Sequence, residues 1–354
     1  MAGHLSHSLP IRKHRYSVLT SRLILLLFGL ILVCGRSLGQ SGRVRPDAQS
    51  DQPIRLRTEE VLLPVSVKND YGKLPGALTV SDFIVVEDNS RRTVTGLMHA
   101  PASIVLIVDS CVEFGKFKQV NLNRDAAIAV IDAIGADDKA AVLTYADKVR
   151  VLSGLTGDKD ALKLALTQNF KLGTKSHLYD SLLYAANNLL ANTPGRHSVV
   201  VLTDGYDDFP RNVLDQASQA LARARATVYI IDQSAMIVKD FKPVVYSKHP
   251  VDLLNMGVDQ KYRQMIQEWR QYISDIENEV KTMNGLAEDS GGAFWNPADA
   301  EEFHRDWSSL ISAIGSEYVI AYRSEREVGD KSLHELKIYP NRPGLTVSSR
   351  HAVY

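Results

Sequence analysis

Residues 104–108 read IVLIV and residues 198–203 read SVVVLT, and an aspartate follows each run at once, Asp109 and Asp204. An unbroken apolar run of strand length is buried on both faces, which a sheet covered by helices on each side provides. The chain around these runs agrees. Residues 123–134 carry apolar side chains at helical spacing, with Asn123 placed to cap, and strands follow at 141–145 and 149–152. Helices over 159–169, 178–191 and 212–224 then alternate with the 198–203 strand and a strand at 227–231. This alternation predicts an α/β fold with a doubly wound, mostly parallel sheet. Residues 233–260 break the rhythm and are expected to form an inserted loop.

Before this region the period changes to two. Val61, Leu63, Val65 and Val67 alternate with other residues up to a turn at 69–72, strand 83–87 ends at Asp88-Asn89, and 92–98 reads as a third strand. After a helix at 300–314 and a strand at 318–322, the tail returns to strands at 334–339 and 345–349. Each set has too few strands to bury a face, so the two are expected to pair as one accessory β module built from both chain ends. Ahead of the tail runs a long helix whose apolar positions are Tyr262, Ile266, Trp269, Ile273, Ile276, Val280, Met283 and Ala287. Such a stripe packs on the chain's own sheet or zips to a partner helix.

Charge bounds the partner. Lys plus Arg and Asp plus Glu both number 41, which leaves no field to recruit nucleic acid. Arg12, Lys13, Arg15 and Arg22 precede an apolar run at 23–35, whose 13 residues fall short of the about 20 that span a bilayer. Ser37 and Gly39 supply the small residues of a cleavage site. Residues 1–39 are therefore expected to be a cleaved secretory signal, with an uncleaved anchor as the alternative. The expected layout continues with a flexible leader at 40–54, the N-terminal β module at 55–100, the α/β domain at 101–317 and the returning strands at 318–354. Cleavage removes five basic and no acidic side chains, so the exported chain is mildly acidic and keeps no stable membrane span. Cys111 becomes its sole thiol, and no internal disulfide can form.

Asp109 and Asp204 lie at strand carboxyl ends, where open α/β sheets bind ligands. Gly173-Thr174-Lys175-Ser176 brings hydroxyls to the start of a helix. Oxygen ligands gathered at one sheet edge suit a hard cation, Mg²⁺ or Mn²⁺, although strand-end acids also serve as caps in folds without metal. Asp289-Ser290-Gly291-Gly292 echoes a serine-protease nucleophile segment, but its surroundings are helical and the glycines more simply end the long helix. Cys111 has acidic neighbours that disfavour a thiolate and reads as a quiet, half-buried small residue. The sequence holds no glycine-rich phosphate loop.

The apolar strand with Asp109, the stretch 173–180 ending in Leu178-Tyr179-Asp180, and Leu202-Thr203-Asp204-Gly205 resemble the von Willebrand factor A-like domain. That family's metal-ion-dependent adhesion site reads Asp-x-Ser-x-Ser, then Thr, then Asp. The segments 78–88 (LTVSDFIVVED), 286–294 (LAEDSGGAF), 318–322 (YVIAY) and Arg342-Pro343-Gly344-Leu345 are similar to a narrower group, the VWFA-related proteins typical of acidobacteria. The resemblance covers about residues 55–354. It implies a non-enzymatic, exported binding or adhesion module, placed in the periplasm, on the cell surface or in the medium, that engages a protein partner.

Carried across position by position, Asp109 and Asp204 keep their acids, Cys111 stands at the first Ser position, Glu113 at the second, and Ser176 at the Thr position. The implied ligands of Mg²⁺ or Mn²⁺ are thus Asp109, Glu113, Ser176 and Asp204. A thiol is a poor ligand for a hard cation. Three carboxylates would also leave the site net negative, which repels the carboxylate that the family site takes from its partner. Two other functions stay open: a metal-dependent hydrolase on the acidic rim, and a structural envelope protein with a vestigial metal site. The hydrolase lacks a convincing base, since the one nearby histidine, His177, reads as a first-turn helix residue.

Overall fold

Continuous and alternating apolar segments build different sheets in the computed structural model, which describes residues 59–73, 75–112, 120–208, 212–246, 260–327, 329–330 and 332–353. All of these fall within one compact unit, Leu56–Tyr354. The other unit, Met1–Arg55, carries the expected signal and leader and lies outside the described residues. In chain order the first elements are β1 (Glu59–Asn69), β2 (Phe83–Glu87), β3 (Ser90–Arg92), β4 (Val94–Met98), β5 (Ala102–Asp109), α1 (Val120–Ala133), β6 (Lys139–Tyr145) and β7 (Val149–Thr156). Then come α2 (Lys159–Asn169), α3 (Leu178–Tyr184), β8 (Arg196–Thr203), α4 (Asn212–Arg223), β9 (Ala226–Asp232), α5 (Ser234–Val245) and α6 (Gln260–Asp289). The chain closes with β10 (Ala293–Trp295), α7 (Ala300–Gly315), β11 (Glu317–Ser324), β12 (His334–Pro340), β13 (Leu345–Ser349) and β14 (Ala352–Val353).

The central sheet has the order β10-β9-β8-β5-β6-β7 and is parallel except for β7, which runs antiparallel to β6. Every residue of β5 is buried, and the strand's two-residue period divides them between two cores. Val105 and Ile107 join Leu182 of α3, Leu221 of α4 and Met283 of α6 on one face. Ile104, Leu106 and Val108 join Ala127 of α1, Leu166 of α2 and Leu310 of α7 on the other. Burying each such side chain stabilises the fold by about 1.5–3 kcal/mol. The doubly wound, mostly parallel α/β architecture is therefore the observed one.

The remaining strands form two antiparallel four-stranded sheets, β13-β1-β11-β4 and β14-β12-β2-β3. β1 lies between two strands from the far end of the chain, pairing Val61 with Tyr322 and Val65 with Ser349. Its alternate residues Val61, Leu63, Val65 and Val67 share one core with Phe83, Val85, Leu336 and Ile338 of the second sheet. The accessory module is thus assembled from both chain ends. Its attachment to the central sheet runs through Glu317, the first residue of β11. The buried carboxylate accepts bonds from Arg196 Nη1 at 2.6 Å, Ser198 Oγ at 3.1 Å and the Tyr229 hydroxyl at 2.7 Å. Burial, and then the Glu317 charge, push the Tyr229 hydroxyl far above its ordinary pKa.

Several sequence expectations need correction. Asn123 does not cap α1, which begins three residues earlier at Val120; its side chain is buried and accepts from Gln233 Nε2. The segment 233–260 is not simply a loop. Residues 234–245 form α5, which carries Pro243 in its last turn at the cost of one intrahelical bond, and residues 247–259 lie outside the described residues. α3 continues as a π-helical turn at Ala185–Leu190. The long apolar stripe of α6 packs within its own chain, on the sheet as expected and also on a neighbouring helix. Its later residues Met283 and Ala287 enter the core under the sheet, while Ile266, Ile273 and Ile276 pack against Ile237, Phe241 and Val245 of α5. Among the described residues no helix is long and apolar enough to cross a membrane.

Candidate functional site

Three of the four expected ligands converge at the carboxyl edge of the central sheet. β5 ends in Asp109, Asp204 follows β8, and Ser176 stands just before α3; all three are fully buried. Glu113 lies outside the described residues. Asp109 Oδ1 accepts the Cys111 N–H at 2.8 Å, which folds the strand end back on itself in an Asx turn. Cys111 then forms an isolated parallel bridge with Gly173, bringing the 173–176 segment alongside.

Cys111 is completely buried rather than half-buried, and its thiol donates to the Lys175 carbonyl at 2.9 Å. The Ser176 hydroxyl donates to the Tyr206 carbonyl at 2.6 Å. Asp204 Oδ1 accepts the Tyr206 N–H at 3.1 Å, and its Oδ2 accepts the Tyr272 hydroxyl at 2.6 Å. Tyr272 projects from α6 and packs edge-on against Tyr206, with ring centroids 5.2 Å apart. The second strand-end acid is therefore covered by a helix that follows it by about seventy residues.

The turn after Asp204 supplies two more carboxylates. Asp207 Oδ2 accepts the Tyr179 N–H at 2.8 Å and Asp208 Oδ2 accepts the Ser176 N–H at 2.6 Å. Negative groups thus meet the exposed N–H groups at the start of α3, the favourable end of its dipole. Asp147 does the same for the loop before it, accepting the Thr174 and Lys175 N–H groups; the Thr174 bond leads in lowering the Asp147 pKa. A third strand-end acid, Asp232 of β9, is buried and accepts the Ser234 N–H at 2.7 Å, starting α5. Gly205 holds φ +77° in the turn, and a side chain there would meet Asp232 Oδ2 at 3.1 Å.

Sequence reasoning missed Tyr272, Asp207, Asp208 and Asp232. Asp232 was findable by the same rule as Asp109, since it follows the apolar strand 227–231. Tyr272 carried no signal, because nothing in its spacing distinguishes a rim contact from a core position.

The other chemical candidates are structural. His177 is the residue that precedes α3 rather than a first-turn residue, and its Nδ1 pairs with Asp180 Oδ2 at 2.8 Å. The Ser290 hydroxyl donates to the Ala287 carbonyl and accepts the Val228 N–H, so it is held as a clip between α6 and β9. Gly292 is required beside it, since a Cβ there would stand 1.8 Å from the Val228 carbonyl oxygen.

The residues present do not fit a family-type cation. Mg²⁺ demands near-octahedral oxygen coordination. Here a thiol replaces one hydroxyl, Ser176 Oγ is turned to a carbonyl, and one oxygen of Asp204 is committed to Tyr272. Among the described residues no three His, Cys, Asp or Glu side chains gather at metal-holding distance.

A parallel sheet with two carboxylates and a hydroxyl on its carboxyl edge defines the class, and the comparisons agree with it. Residues 103–249 match the model of the von Willebrand factor type A domain, and the chain contains a domain of that family. No curated protein matches. Among solved structures, a von Willebrand factor type A protein from Catenulispora acidiphila is similar at 12% identity, covering 84% of this chain and 73% of that one, with TM-score 0.44. Proximal thread matrix protein 1 from the mussel byssus gives 14% identity over 68% of this chain and 51% of its own, with TM-score 0.45. BatB from Bacteroides thetaiotaomicron gives 15% identity over 37% of this chain and 66% of its own, with TM-score 0.29. The chain thus spans less than two thirds of the length of the last two.

Proposed function

We propose that this chain is an exported, non-catalytic protein-interaction module that presents the carboxyl-edge rim to a protein partner, with the rim braced by internal hydrogen bonds in place of a cation. The observation that carries the reading is the 2.6 Å bond from Tyr272 to Asp204, which satisfies with a neutral hydroxyl the acid that the family gives to metal. Asp109, Asp147, Asp207 and Asp208 likewise spend carboxylate oxygens on backbone N–H groups of the rim loops. Such bracing preorganises loops for binding, which lowers the ordering cost of association. A hydrolase needs a nucleophile facing a base. The Ser176 and Ser290 hydroxyls donate instead to backbone carbonyls.

A photo-crosslinking residue placed at exposed Lys175 on the rim, and another at exposed Lys139 on the opposite sheet edge, tests the reading in the full chain. Expected is a partner captured from Lys175 and not from Lys139, with equal yield in EDTA and in Mg²⁺. Capture that requires Mg²⁺, or that proceeds from Lys139 alone, overturns it.

A further inference from the structure

Away from the rim, α4, the second half of α6 and the C-terminal segment enclose an open groove of about 670 Å³. That volume lies in the range of sites that take a small ligand or a short peptide. Its floor is apolar, formed by Leu214 and Leu221 of α4, Leu286 of α6 and Leu333. Leu333 remains 57% exposed although it is a large aliphatic residue.

Arg350 also lines the groove and is only 2% exposed. Its Nη1 donates to the Ala222 carbonyl and its Nη2 to the Ala226 carbonyl, both at 3.2 Å, while Nε has no partner. The two carbonyls explain a capping role at the end of α4, but carbonyl dipoles do not neutralise a charge. Among the described residues Arg350 makes no ion pair; after burial the largest influence on it is another cation, Arg225, which the more weakly felt charge of Glu317 opposes. A buried charge with no carboxylate in direct contact is costly to keep. Lys281, also lining the groove, adds a second cation, which pairs with no acid among the described residues. Two acids also line the groove, both of them exposed: Asp215, and Asp289, which faces His351 at 3.5 Å.

A second observation points the same way. Gly285 lines the groove from inside α6, where glycine is less favourable than alanine. Packing does not require it, since a Cβ at this position would meet nothing within 4 Å. Its effect is to leave the helix backbone open to whatever enters. Ser218, Gln219 and Thr282, which also line the groove, offer side-chain donors and acceptors suited to a peptide backbone, which an alkyl chain would leave unused.

We infer that this groove is a second binding site, separate from the rim, that takes the apolar carboxyl-terminal tail of a partner polypeptide, with its last side chain on the leucine floor and its α-carboxylate drawn toward Arg350 and Lys281. The charge pattern commits to this occupant: a carboxylate is attracted by Arg350 and Lys281, and the chain leading to it passes Ser218, Gln219 and Thr282.

The test uses the full chain, immobilised, and two pools of acetylated heptapeptides with Leu, Val, Ile or Phe last and the other positions randomised. One pool ends in the free acid and the other in the amide; decanoate is a third probe. Expected is retention of the acid pool at least tenfold above the amide pool. Gly285→Leu, which fills open space on a helix and leaves the unfolding midpoint intact, should abolish retention. Lys281→Met, at an exposed position, should reduce the preference for acid over amide, and Arg350→Met should remove it where that variant folds. Equal retention of acid and amide, retention unchanged in Gly285→Leu, or retention of decanoate without peptide would each overturn the inference.

Discussion

The Tyr272 hydroxyl donates to Asp204 Oδ2 at 2.6 Å, and through that one bond α6 is fastened to the carboxyl end of β8. Asp204 is fully buried and Tyr272 is 2% exposed. Replacing Tyr272 by Phe keeps the ring against Tyr206 and deletes only the donor. The expected cost is about 1–3 kcal/mol, the penalty for a buried acceptor that loses its partner. Urea unfolding should show a lower midpoint with an unchanged slope.

Metal titration separates this site from the family pattern. A cation present at a hundred times its dissociation constant would stabilise the fold by about 2.7 kcal/mol. The wild-type protein is expected to melt at the same temperature with and without millimolar Mg²⁺ or Mn²⁺. The double variant Cys111→Ser, Tyr272→Phe restores one hydroxyl and releases one carboxylate oxygen, and calorimetry should detect Mg²⁺ binding to it. Tight binding by the wild type would contradict the metal-free reading of the rim.

The Arg196–Glu317 pair, with both side chains 1% exposed, gives the largest expected effect of a single change. Arg196→Met leaves a carboxylate buried against Tyr229 and Ser198, and breaking such a pair costs about 3–5 kcal/mol. Glu317→Gln keeps the acceptor oxygen for Tyr229 and should cost less. Equal unfolding free energies for the two variants would show that the pair itself is not what attaches the module.

His334 makes the accessory module sensitive to pH. Its Nδ1 lies 2.6 Å from Asp88 Oδ2 and its Nε2 lies 3.1 Å from Asp330 Oδ2. The bond to Asp88 leads in raising the imidazole above 6.5. Bonds from Ser332 lead in holding Asp330 down at about 2, so that acid stays ionised throughout the range that matters. A histidine whose folded pKa is raised contributes fully below its unfolded value, and the contribution is lost as pH rises through the folded value. The melting temperature should therefore fall as pH rises from 6.5 through the raised folded value. Asp88→Asn, which tolerates the positive φ of 49° at that turn, should flatten the fall.

Export is tested chemically. On the four basic residues ahead of the apolar run at 23–35, with Ser37 and Gly39 after it, we propose a processed chain that starts near Gln40. Intact-mass measurement of exported protein should find that terminus, and recovery of the full N-terminus in the membrane fraction would replace the signal with an anchor.

Period and punctuation made most of the fold legible. The IVLIV run could only be a strand buried on both faces, and the alternation at Val61, Leu63, Val65 and Val67 placed those residues in one core. What stayed hidden was set by tertiary contacts. α5 was obscured because Pro243 reads as a breaker, while the Ile237, Phe241, Val245 stripe that forms it has meaning only against Ile273 and Ile276 of α6. β10 and β14 are three and two residues long, too short to carry a period. In the site, Asp109, Ser176 and Asp204 were marked by strand ends and a helix start, both local features. Tyr272 was invisible because its role depends on where α6 passes over the sheet, which local sequence does not encode.

The pairing of β1 with β11 and β13 also orders events in time. Ser66 and Ser316 share a hydrogen bond across 250 residues, so the first described strand has no neighbour until nearly the whole chain has been made. The α/β domain between them contains all the strands of its own sheet and can close first. Until β11 emerges, Val61, Leu63, Val65 and Val67 form an unpaired apolar edge, the kind of surface on which nascent chains associate wrongly. A holding chaperone acting on this protein during synthesis would therefore be expected to grip that segment, and to release it only when the last strands arrive.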